Sequence, residues 1–241
     1  MLITSLDNKK IKELTKLKQK KYRDINKKFI VETENLIKEA YIENRLEEIY
    51  LLENETLSFK PECPTYEVTE KVMDKIKNIN TSKVIGIATQ KENNEYIGKR
   101  YLMLDRVSDP GNLGTIIRSA VAFNIDTLIV SEDTCDIYND KVIRATEGAI
   151  FRLNIVRENL EEAINNLNKL NINIYGTDVT NGQNITTIPK DNFCIIMGNE
   201  GQGISEKIKK LVNQNVYIKT NNVESLNVAV ATSIILYELN K

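Results

Sequence analysis

DPGNLGTIIRSA, at residues 109–120, lies between two apolar runs, YLMLD at 101–105 and IDTLIV at 125–130. A strand, a glycine-bounded turn, a helix and a second strand in this order predict a βαβ unit. The turn carries Asn112 between two glycines, and Arg118 follows within the helix. Because helix N-termini present free N–H donors, an arginine beside them predicts an anion site. A surface arginine on an amphipathic helix fits the same residues.

Strand and helix patterns alternate through the rest of the C-terminal part. The predicted strands are 101–105, 126–130, 153–156, 172–176, 193–197 and 215–219. The predicted helices are 114–124, 139–146, 159–169, 204–213 and 225–239. This alternation predicts an α/β fold, with a mostly parallel sheet and helices on both of its faces.

The N-terminal part predicts a smaller α/β unit. Its expected elements are a helix at 5–21, a strand at 29–32, a helix at 34–44, a strand at 48–52, a helix at 70–78 and a strand at 84–89. The polar stretch KENNEYIGK at 91–99 is the best linker candidate. We therefore divide the chain into a domain at 1–92, a linker at 93–99 and a domain at 100–241.

The composition excludes several classes of protein. The 241 residues include no histidine, which excludes Ser–His and Cys–His catalytic pairs and the usual catalytic zinc sites. Three widely spaced cysteines predict buried free thiols in a reducing cytosol, and neither a disulfide framework nor a metal site. With no signal peptide and no membrane-spanning apolar run, we expect a cytoplasmic protein.

Charge is segregated along the first 70 residues. Residues 1–30 contain ten Lys/Arg and three acids, whereas residues 31–70 contain three Lys/Arg and eleven Glu. A basic arm that contacts phosphates fits this pattern, and so does a solvated helix whose charges serve solubility.

A second unusual segment is CIIMGNEGQGIS at 194–205, an apolar strand followed by three glycines in six residues. Glycines allow close approach of a ligand to the backbone, or a sharp turn. The spacing G-x-x-G-x-G is neither a dinucleotide fingerprint nor a P-loop. A plain tight loop fits as well, but ligands of open α/β sheets bind at such strand ends.

A third segment is NNVESLNVAVATSIILYEL at 221–239. Ser225 is the expected N-cap, and the helix after Asn227 is apolar on nearly every side. Such a helix is deeply buried or lies in a subunit interface. The polar cluster of Asn222, Glu224, Ser225 and Asn227 at its start needs partners from the protein or from a ligand.

Together and in this order, the three segments resemble the three motifs of the SpoU/TrmH family of RNA ribose 2′-O-methyltransferases, in the SPOUT class. The matching stretches are DPGNLGTIIRSA, MGNEGQGIS and NVESLNVAVA. KVIRATEGAIFRLNI at 141–155 resembles the segment that connects the first two motifs in this family. ITSLDNKKIKELTKL and FIVETENLIKEA resemble the substrate-binding domain that often precedes the catalytic one.

The resemblance implies a deep C-terminal trefoil knot in the sheet and S-adenosylmethionine (AdoMet) bound within it. It also implies a homodimer, with helix 225–239 in the interface and an active site that draws on both subunits. By position, the cofactor-binding residues would be Thr177, Gly198, Gly201, Ile218 and Leu226.

The family assigns activation of the ribose 2′-hydroxyl to the arginine of the first motif, here Arg118, assisted by an RNA phosphate. The sulfonium methyl group is already a good electrophile, so this chemistry needs neither a metal nor a histidine. Because the pKa of arginine lies above about 12, positioning of the phosphate and the hydroxyl is the larger part of this role. The residues that would orient Arg118 and the ribose are Asn112, Glu200, Ser225 and Asn227.

The resemblance makes ribosomal RNA the expected substrate, bound by the basic N-terminal unit. The residues assigned to RNA binding are Lys9, Lys10, Lys20, Lys21, Arg23 and Arg144. The third motif departs from the family pattern, with Lys219 in place of a proline and no glycine, which bears on the backbone contacts of 218–223. Thr33 replaces a common glycine and Asn154 a common proline.

Three alternatives stay open at the level of the sequence. One is a transfer-RNA 2′-O-methyltransferase, and another is a non-catalytic RNA-binding protein of the same fold. The third, an α/β enzyme with a nucleotide cofactor, is disfavoured by the glycine spacing.

Overall fold

The chain forms two compact units in this computed structural model, which describes residues 2–91, 93, 95–179 and 182–241. The first unit comprises Met1–Glu92 and Asp136–Arg152, and the second comprises Asn93–Cys135 and Leu153–Lys241. The segment 136–152, which the sequence-based division places in the C-terminal domain, is therefore part of the first unit. Within the described residues, no helix is long and apolar enough to cross a membrane.

The first unit is built on a five-stranded mixed sheet. Its strands are β1 (Leu2–Ile3), β2 (Lys28–Glu32), β3 (Leu46–Leu52), β4 (Thr65–Val68) and β5 (Val84–Thr89), in the order β1-β4-β3-β5-β2. Its helices are α1 (Lys9–Lys16), α2 (Lys20–Asn26), α3 (Glu34–Ile42), α4 (Glu70–Ile76) and α6 (Asp140–Thr146), with a short 3₁₀ turn at Ala149–Phe151.

Two features of the first unit differ from the sequence-based expectation. The single helix predicted at 5–21 is two helices: α1 ends at Lys16, and the guanidinium of Arg23 on α2 donates to the carbonyls of Leu17 and Lys18 in the connection between the helices. The short strands β1 and β4 were not predicted, since only one residue of each, Ile3 and Val68, is buried and the apolar signal is weak.

Aromatic packing holds the segment 136–152 in the first unit. The ring of Phe29 on β2 lies 4.6 Å from that of Tyr138 and 5.9 Å from that of Phe151, measured between centroids. The guanidinium of Arg152 forms ion pairs with Glu39 on α3 and with Glu43, the residue that follows this helix. The connection between the first two motifs thus contributes to the core of the N-terminal unit.

The second unit is built on a parallel sheet. Its strands are β6 (Arg100–Leu104), β7 (Thr127–Val130), β8 (Asn154–Arg157), β9 (Ile174–Thr177), β10 (Gln183–Asn184), β11 (Phe193–Met197) and β12 (Gln214–Tyr217), in the order β10-β12-β9-β11-β6-β7-β8. Its helices are α5 (Pro110–Ala122), α7 (Leu160–Lys169), α8 (Glu206–Lys209) and α9 (Val228–Asn240), with a 3₁₀ turn at Ile185–Thr187. The predicted parallel α/β fold is confirmed; the trefoil knot stays a prediction.

Helices cover both faces of this sheet. Tyr101, Met103, Cys194 and Ile196 alternate onto one face, where they pack with α7 and α8. Helix α5 connects β6 to β7, and α7 connects β8 to β9 in the opposite direction along the sheet, so right-handed crossovers put α5 on the other face, where α9 packs against it. Cys194 is buried in this core, and burial raises the pKa of its thiol. Cys63 and Cys135 are only half-buried, contrary to expectation.

Three helix boundaries also differ from the predicted ones. Helix α5 starts at Pro110 with Asp109 as its N-cap, earlier than expected. Asn227, and not Ser225, caps α9, because its side chain accepts the N–H groups of Ala229 and Val230. Helix α8 has only four residues, since Ile208 is its single buried side chain.

The packing of Phe29 predicts energetic coupling to Tyr138. We expect Phe29→Ala and Tyr138→Ala each to lower the free energy of unfolding, and the double variant to lose less than the sum by about 0.5–1.5 kcal/mol, since the ring contact is lost only once. Urea unfolding of the full chain measures this. Ile42→Ala, at a side chain that is 55% exposed, is the control. Strictly additive losses would contradict the assignment of 136–152 to the first unit.

Candidate active site

The carboxyl ends of β9, β11 and β6 meet at one edge of the second unit, because these three strands are adjacent and parallel. From β6 the chain proceeds to β7 and β8 on one side, and the later strands lie on the other side. A change of direction of this kind leaves a crevice at the strand ends, where ligands of open α/β sheets bind. The first two motifs leave the sheet at this edge.

The glycine-rich loop after β11 is a closed turn. Asn199 and Gly203 exchange backbone hydrogen bonds of 3.0 and 2.9 Å. The side-chain oxygen of Asn199 accepts the N–H groups of Gly201 (3.0 Å) and Gln202 (3.1 Å). A Cβ atom built on Gly198 would lie 2.1 Å from the backbone carbon of Gly203, so the loop folds this tightly only with glycine at 198.

Glu200 ties this loop to the start of α5. Its carboxylate accepts the N–H of Asp109 (3.0 Å), the hydroxyl of Ser108 (3.1 Å) and the side-chain amide of Asn112 (3.1 Å). A carboxylate at a helix N-terminus also interacts favourably with the helix dipole. The first and second motifs are thereby held together by one side chain.

The third motif joins the same cluster through Asn112. The amide of Asn227 donates to the side-chain oxygen of Asn112 at 2.9 Å, and Asn112 donates in turn to Glu200. This chain of hydrogen bonds fixes the orientation of the Asn112 amide, since its oxygen faces Asn227 and its nitrogen faces Glu200. Three of the predicted orienting residues are thus in direct contact.

Glu200 is ionised in this arrangement. Partial burial acts to raise the pKa of its carboxyl group, but the hydrogen bonds from the Asp109 backbone and the Asn112 side chain outweigh it and lower the pKa. A carboxylate with a lowered pKa and several donors already in place is a weak proton acceptor. Glu200 therefore holds the site together and does not serve as its general base.

A cavity of about 390 Å³ opens between the glycine loop, the end of β12 and the start of α9. This volume lies in the range of about 300–1,000 Å³ typical of small-molecule sites. All five residues predicted to bind the cofactor line it, together with Glu200 and Ser225: Thr177, Gly198, Gly201, Ile218 and Leu226. The hydroxyl of Thr177 donates to the carbonyl of Ile196 (2.9 Å), which fixes this wall of the cavity.

Arg118 stands apart from these residues. It is exposed on α5 and does not line the cavity. Among the residues that the structure describes, it has no hydrogen-bond or ion-pair partner. Its guanidinium is therefore available to a ligand that approaches from outside the chain.

Arg106, after β6, is a site residue that the sequence does not reveal. Its backbone is left-handed (φ 60°), which is uncommon for a residue with a side chain. Its N–H donates to Ser131 (2.9 Å), its carbonyl accepts from Asn199 (2.8 Å), and its guanidinium donates to Gln202 (2.8 Å). Arg106 thus supports the glycine loop from the side of β6.

The predicted RNA-binding residues of the first unit differ in whether their charges are already paired with a carboxylate. Lys21 has no ion pair among the described residues, whereas Lys10 pairs with Glu48 at 2.8 Å and Lys20 with Asp24 at 2.5 Å. Lys9 is exposed, at the margin of a pair with Glu13 (3.9 Å), and Arg144 pairs with Asp140 at 2.7 Å within α6.

Arg23 requires a correction. It is only 7% exposed, and its guanidinium donates to the carbonyls of Leu17 and Lys18 and to the carboxylate of Asp136. Its hydrogen bonds connect α2 to α1 and to the segment 136–152, so it is not available to a phosphate. The sequence could not distinguish it from the exposed lysines around it.

Comparison with known proteins adds independent information. Residues 99–237 match the SpoU rRNA Methylase family, and residues 8–86 match the MRM3-like substrate binding domain. The chain is 32% identical, over 98% of both sequences, to the 23S rRNA (guanosine(2553)-2'-O)-methyltransferase RlmP of Bacillus subtilis (strain 168).

Solved structures agree over the whole chain. An rRNA methyltransferase from Sinorhizobium meliloti superposes with a TM-score of 0.87 at 28% identity, covering 99% of this chain and 96% of that one. An AdoMet-bound structure of an rRNA methyltransferase from the same organism gives a TM-score of 0.86, also at 28% identity, with 99% and 97% coverage.

The two glycines of the loop differ in how much space surrounds them. We expect Gly198→Ala to lower the free energy of unfolding by about 3 kcal/mol, because the new methyl group meets backbone. Gly201→Ala is the matched control, with its nearest neighbour 3.8 Å away, and should change stability by less than about 0.5 kcal/mol. Thermal unfolding of the full-length protein measures the stability of both variants. Equal stability of the two variants would mean that the loop is more open than described.

Proposed function

We propose that this chain, which belongs to the SpoU rRNA methylase family, transfers a methyl group from AdoMet to a ribose 2′-hydroxyl of ribosomal RNA. The hydrogen-bonded chain of Asn227, Asn112 and Glu200 beside the cavity carries this proposal, because it joins all three motifs at one point. The relative from Bacillus subtilis is named as a 23S rRNA 2′-O-methyltransferase, which favours ribosomal over transfer RNA.

The cavity fits AdoMet. The Cβ positions of Gly201 and Gly203 are open, with the nearest atom 3.8 Å away at Gly201 and none within 4 Å at Gly203, so a ligand can approach this backbone closely. The lining combines polar groups with Ile218, Leu226 and Ile235. Acidic groups, Asp178, Glu200 and Glu224, also line the cavity and suit a cationic sulfonium ligand. When bound, AdoMet supplies an electrophilic methyl group.

The protein's own contribution is positioning. Glu200 and Asn227 hold the Asn112 amide in one orientation and thereby fix the start of α5, the helix that carries Arg118. We assign to Arg118 the binding of an RNA phosphate and the orientation of the 2′-hydroxyl, whose proton the phosphate helps to remove. Alignment of two reactants in this way supplies a large part of an enzymatic rate enhancement. Ser225, which lines the cavity, would contact the ribose.

We further propose that two copies of the chain pair through α9. Val230, Ile234 and Tyr237 form an exposed apolar stripe on this helix, 48%, 36% and 52% exposed respectively. Because Arg118 does not line the cavity of its own chain, pairing would let Arg118 of one copy serve the cavity of the other. We assign RNA binding in the cytoplasm to residues 1–92, and methyl transfer to residues 100–241 without the segment 136–152, which belongs to the first unit.

A non-catalytic RNA-binding protein is the second candidate. The cavity lined by all five expected cofactor residues argues against it, since an RNA-binding protein without turnover needs no site for a methyl donor. Mapping of 2′-O-methyl groups in ribosomal and transfer RNA, from cells with and without this protein, decides between the candidates and identifies the target nucleotide.

Arg118→Ala tests the assignment of the arginine. We expect methyl transfer from radiolabelled AdoMet to 23S rRNA to fall by at least about 100-fold, since a positioned charge at the reacting centre is lost. Binding of AdoMet, measured by calorimetry, should persist. Thr115→Ala, at an exposed position on the same helix, is the control. Loss of AdoMet binding together with activity would mean that Arg118 is structural.

Ile234→Glu tests the dimer. A charge in a buried apolar interface is unfavourable, so we expect sedimentation to show a monomer and methyl transfer to be lost with it. Ile42→Glu places the same charge on an exposed isoleucine of the first unit and should leave both unchanged. A monomeric wild-type chain with full activity would refute the shared active site.

A further inference from the structure

Helix α2 exposes apolar and aromatic side chains that a folded domain usually covers. Of its seven residues only Arg23 is buried. Ile25 is 65% exposed, the largest value among the large hydrophobic side chains that the structure describes. Tyr22 lies three residues earlier, and residues spaced by three or four are neighbours on a helix surface. The two side chains therefore form one small apolar patch.

Arg23 anchors the helix from beneath this patch. Its guanidinium donates to the carbonyls of Leu17 and Lys18, both at 3.0 Å, and to the carboxylate of Asp136 at 2.6 Å. A hydrogen-bonded anchor of this kind holds the position of α2 without burial of its other side chains. The exposure of Ile25 and the partial exposure of Tyr22 are thus properties of a well-held helix and not of a frayed end.

Two lysines flank the patch with their charges available. The Nζ of Lys16 lies 5.6 Å from the centroid of the Tyr22 ring, a cation–π arrangement. Lys21 is exposed, four residues before Ile25, and has no hydrogen-bond or ion-pair partner among the described residues. Lys18, by contrast, is engaged with the carbonyls of Lys75 and Lys77 at the end of α4.

We propose that Lys16, Lys21, Tyr22 and Ile25 form a surface that binds a single-stranded segment of RNA. An unpaired base would stack on the Tyr22 ring and contact Ile25, while the two lysines would bind the adjoining phosphates. The combination of a half-exposed ring, an exposed apolar neighbour and flanking cations is how proteins bind unpaired nucleotides, whereas a duplex keeps its bases stacked inside. This inference rests on the proposed function and names the form of RNA that the first unit recognises.

The experiment is binding of a fluorescently labelled oligoadenylate to the full-length protein, followed by anisotropy, with an RNA duplex of equal length in parallel. We expect Tyr22→Ala to weaken oligoadenylate binding about tenfold, and Tyr22→Phe, which keeps the ring, to restore it. Ile25→Ala should weaken it less. Ile42→Ala, at the comparably exposed isoleucine on α3, is the matched control and should change nothing.

Lysine variants separate stacking from charge. Lys21→Gln should reduce the slope of log affinity against log salt by about 0.7, the value for one phosphate of a single strand, whereas Tyr22→Ala should leave the slope unchanged. Thermal unfolding of each variant should match the wild type, because the substituted side chains are exposed or half-buried.

Equal affinity of Tyr22→Ala, Tyr22→Phe and wild type for oligoadenylate would overturn the proposal. So would a loss of duplex affinity in Tyr22→Ala as large as its loss of oligoadenylate affinity. Binding of an acidic peptide in competition with the RNA, without an effect of Tyr22→Ala, would assign the surface to a protein partner and also overturn it. Methyl transfer to 23S rRNA by the wild-type protein distinguishes failure of the stacking proposal from failure of the proposed function. If the stacking prediction fails while the wild-type protein methylates RNA, the proposed function stands; if the wild type does not methylate RNA, the proposed function fails whatever Tyr22 does.

Discussion

The hydrogen bonds of the Glu200 carboxylate are the constraint on which the site depends. They join the glycine loop after β11 to the N-terminus of α5, and through Asn112 they reach Asn227 at the start of α9. The donors keep the pKa of Glu200 low, so the charge persists at neutral pH and favours the helix N-terminus beside it. This one ionised group thus holds together the elements that carry all three motifs.

The N-terminal unit depends in a similar way on a buried charge. Arg23 on α2 donates to the carbonyls of Leu17 and Lys18, which follow α1, and pairs with Asp136, so its guanidinium connects both helices to the segment 136–152. Because the Arg23 guanidinium is buried and hydrogen-bonded within the unit, the positive charge that these helices can offer to a ligand resides in the exposed lysines. The lysines differ in their availability, since Lys10 and Lys20 are paired with carboxylates and Lys21 is not.

Much of the architecture could be predicted from local patterns. The alternation of apolar strands with amphipathic helices predicted the parallel sheet, and β6, β9 and β11 lie within two residues of the expected positions. The predictions were less accurate where the burial signal was weak: α8 is short because Ile208 alone is buried, and β4 was missed because only Val68 is. The five residues that the family resemblance assigned to the cofactor all line the cavity; local patterns alone indicated only the glycine loop at the end of β11.

The sequence by itself determined the order of strands and helices and the three motifs, because periodicity, capping residues and glycine spacing act over a few residues. Only the tertiary structure decided that 136–152 belongs to the first unit, that Arg23 is buried while Arg118 is exposed, and that Arg106 supports the glycine loop. Each of these depends on contacts between residues far apart in the chain. The local sequence around an arginine in a basic helix does not reveal whether its guanidinium contacts a carbonyl, a carboxylate or solvent. That partner is determined by tertiary packing.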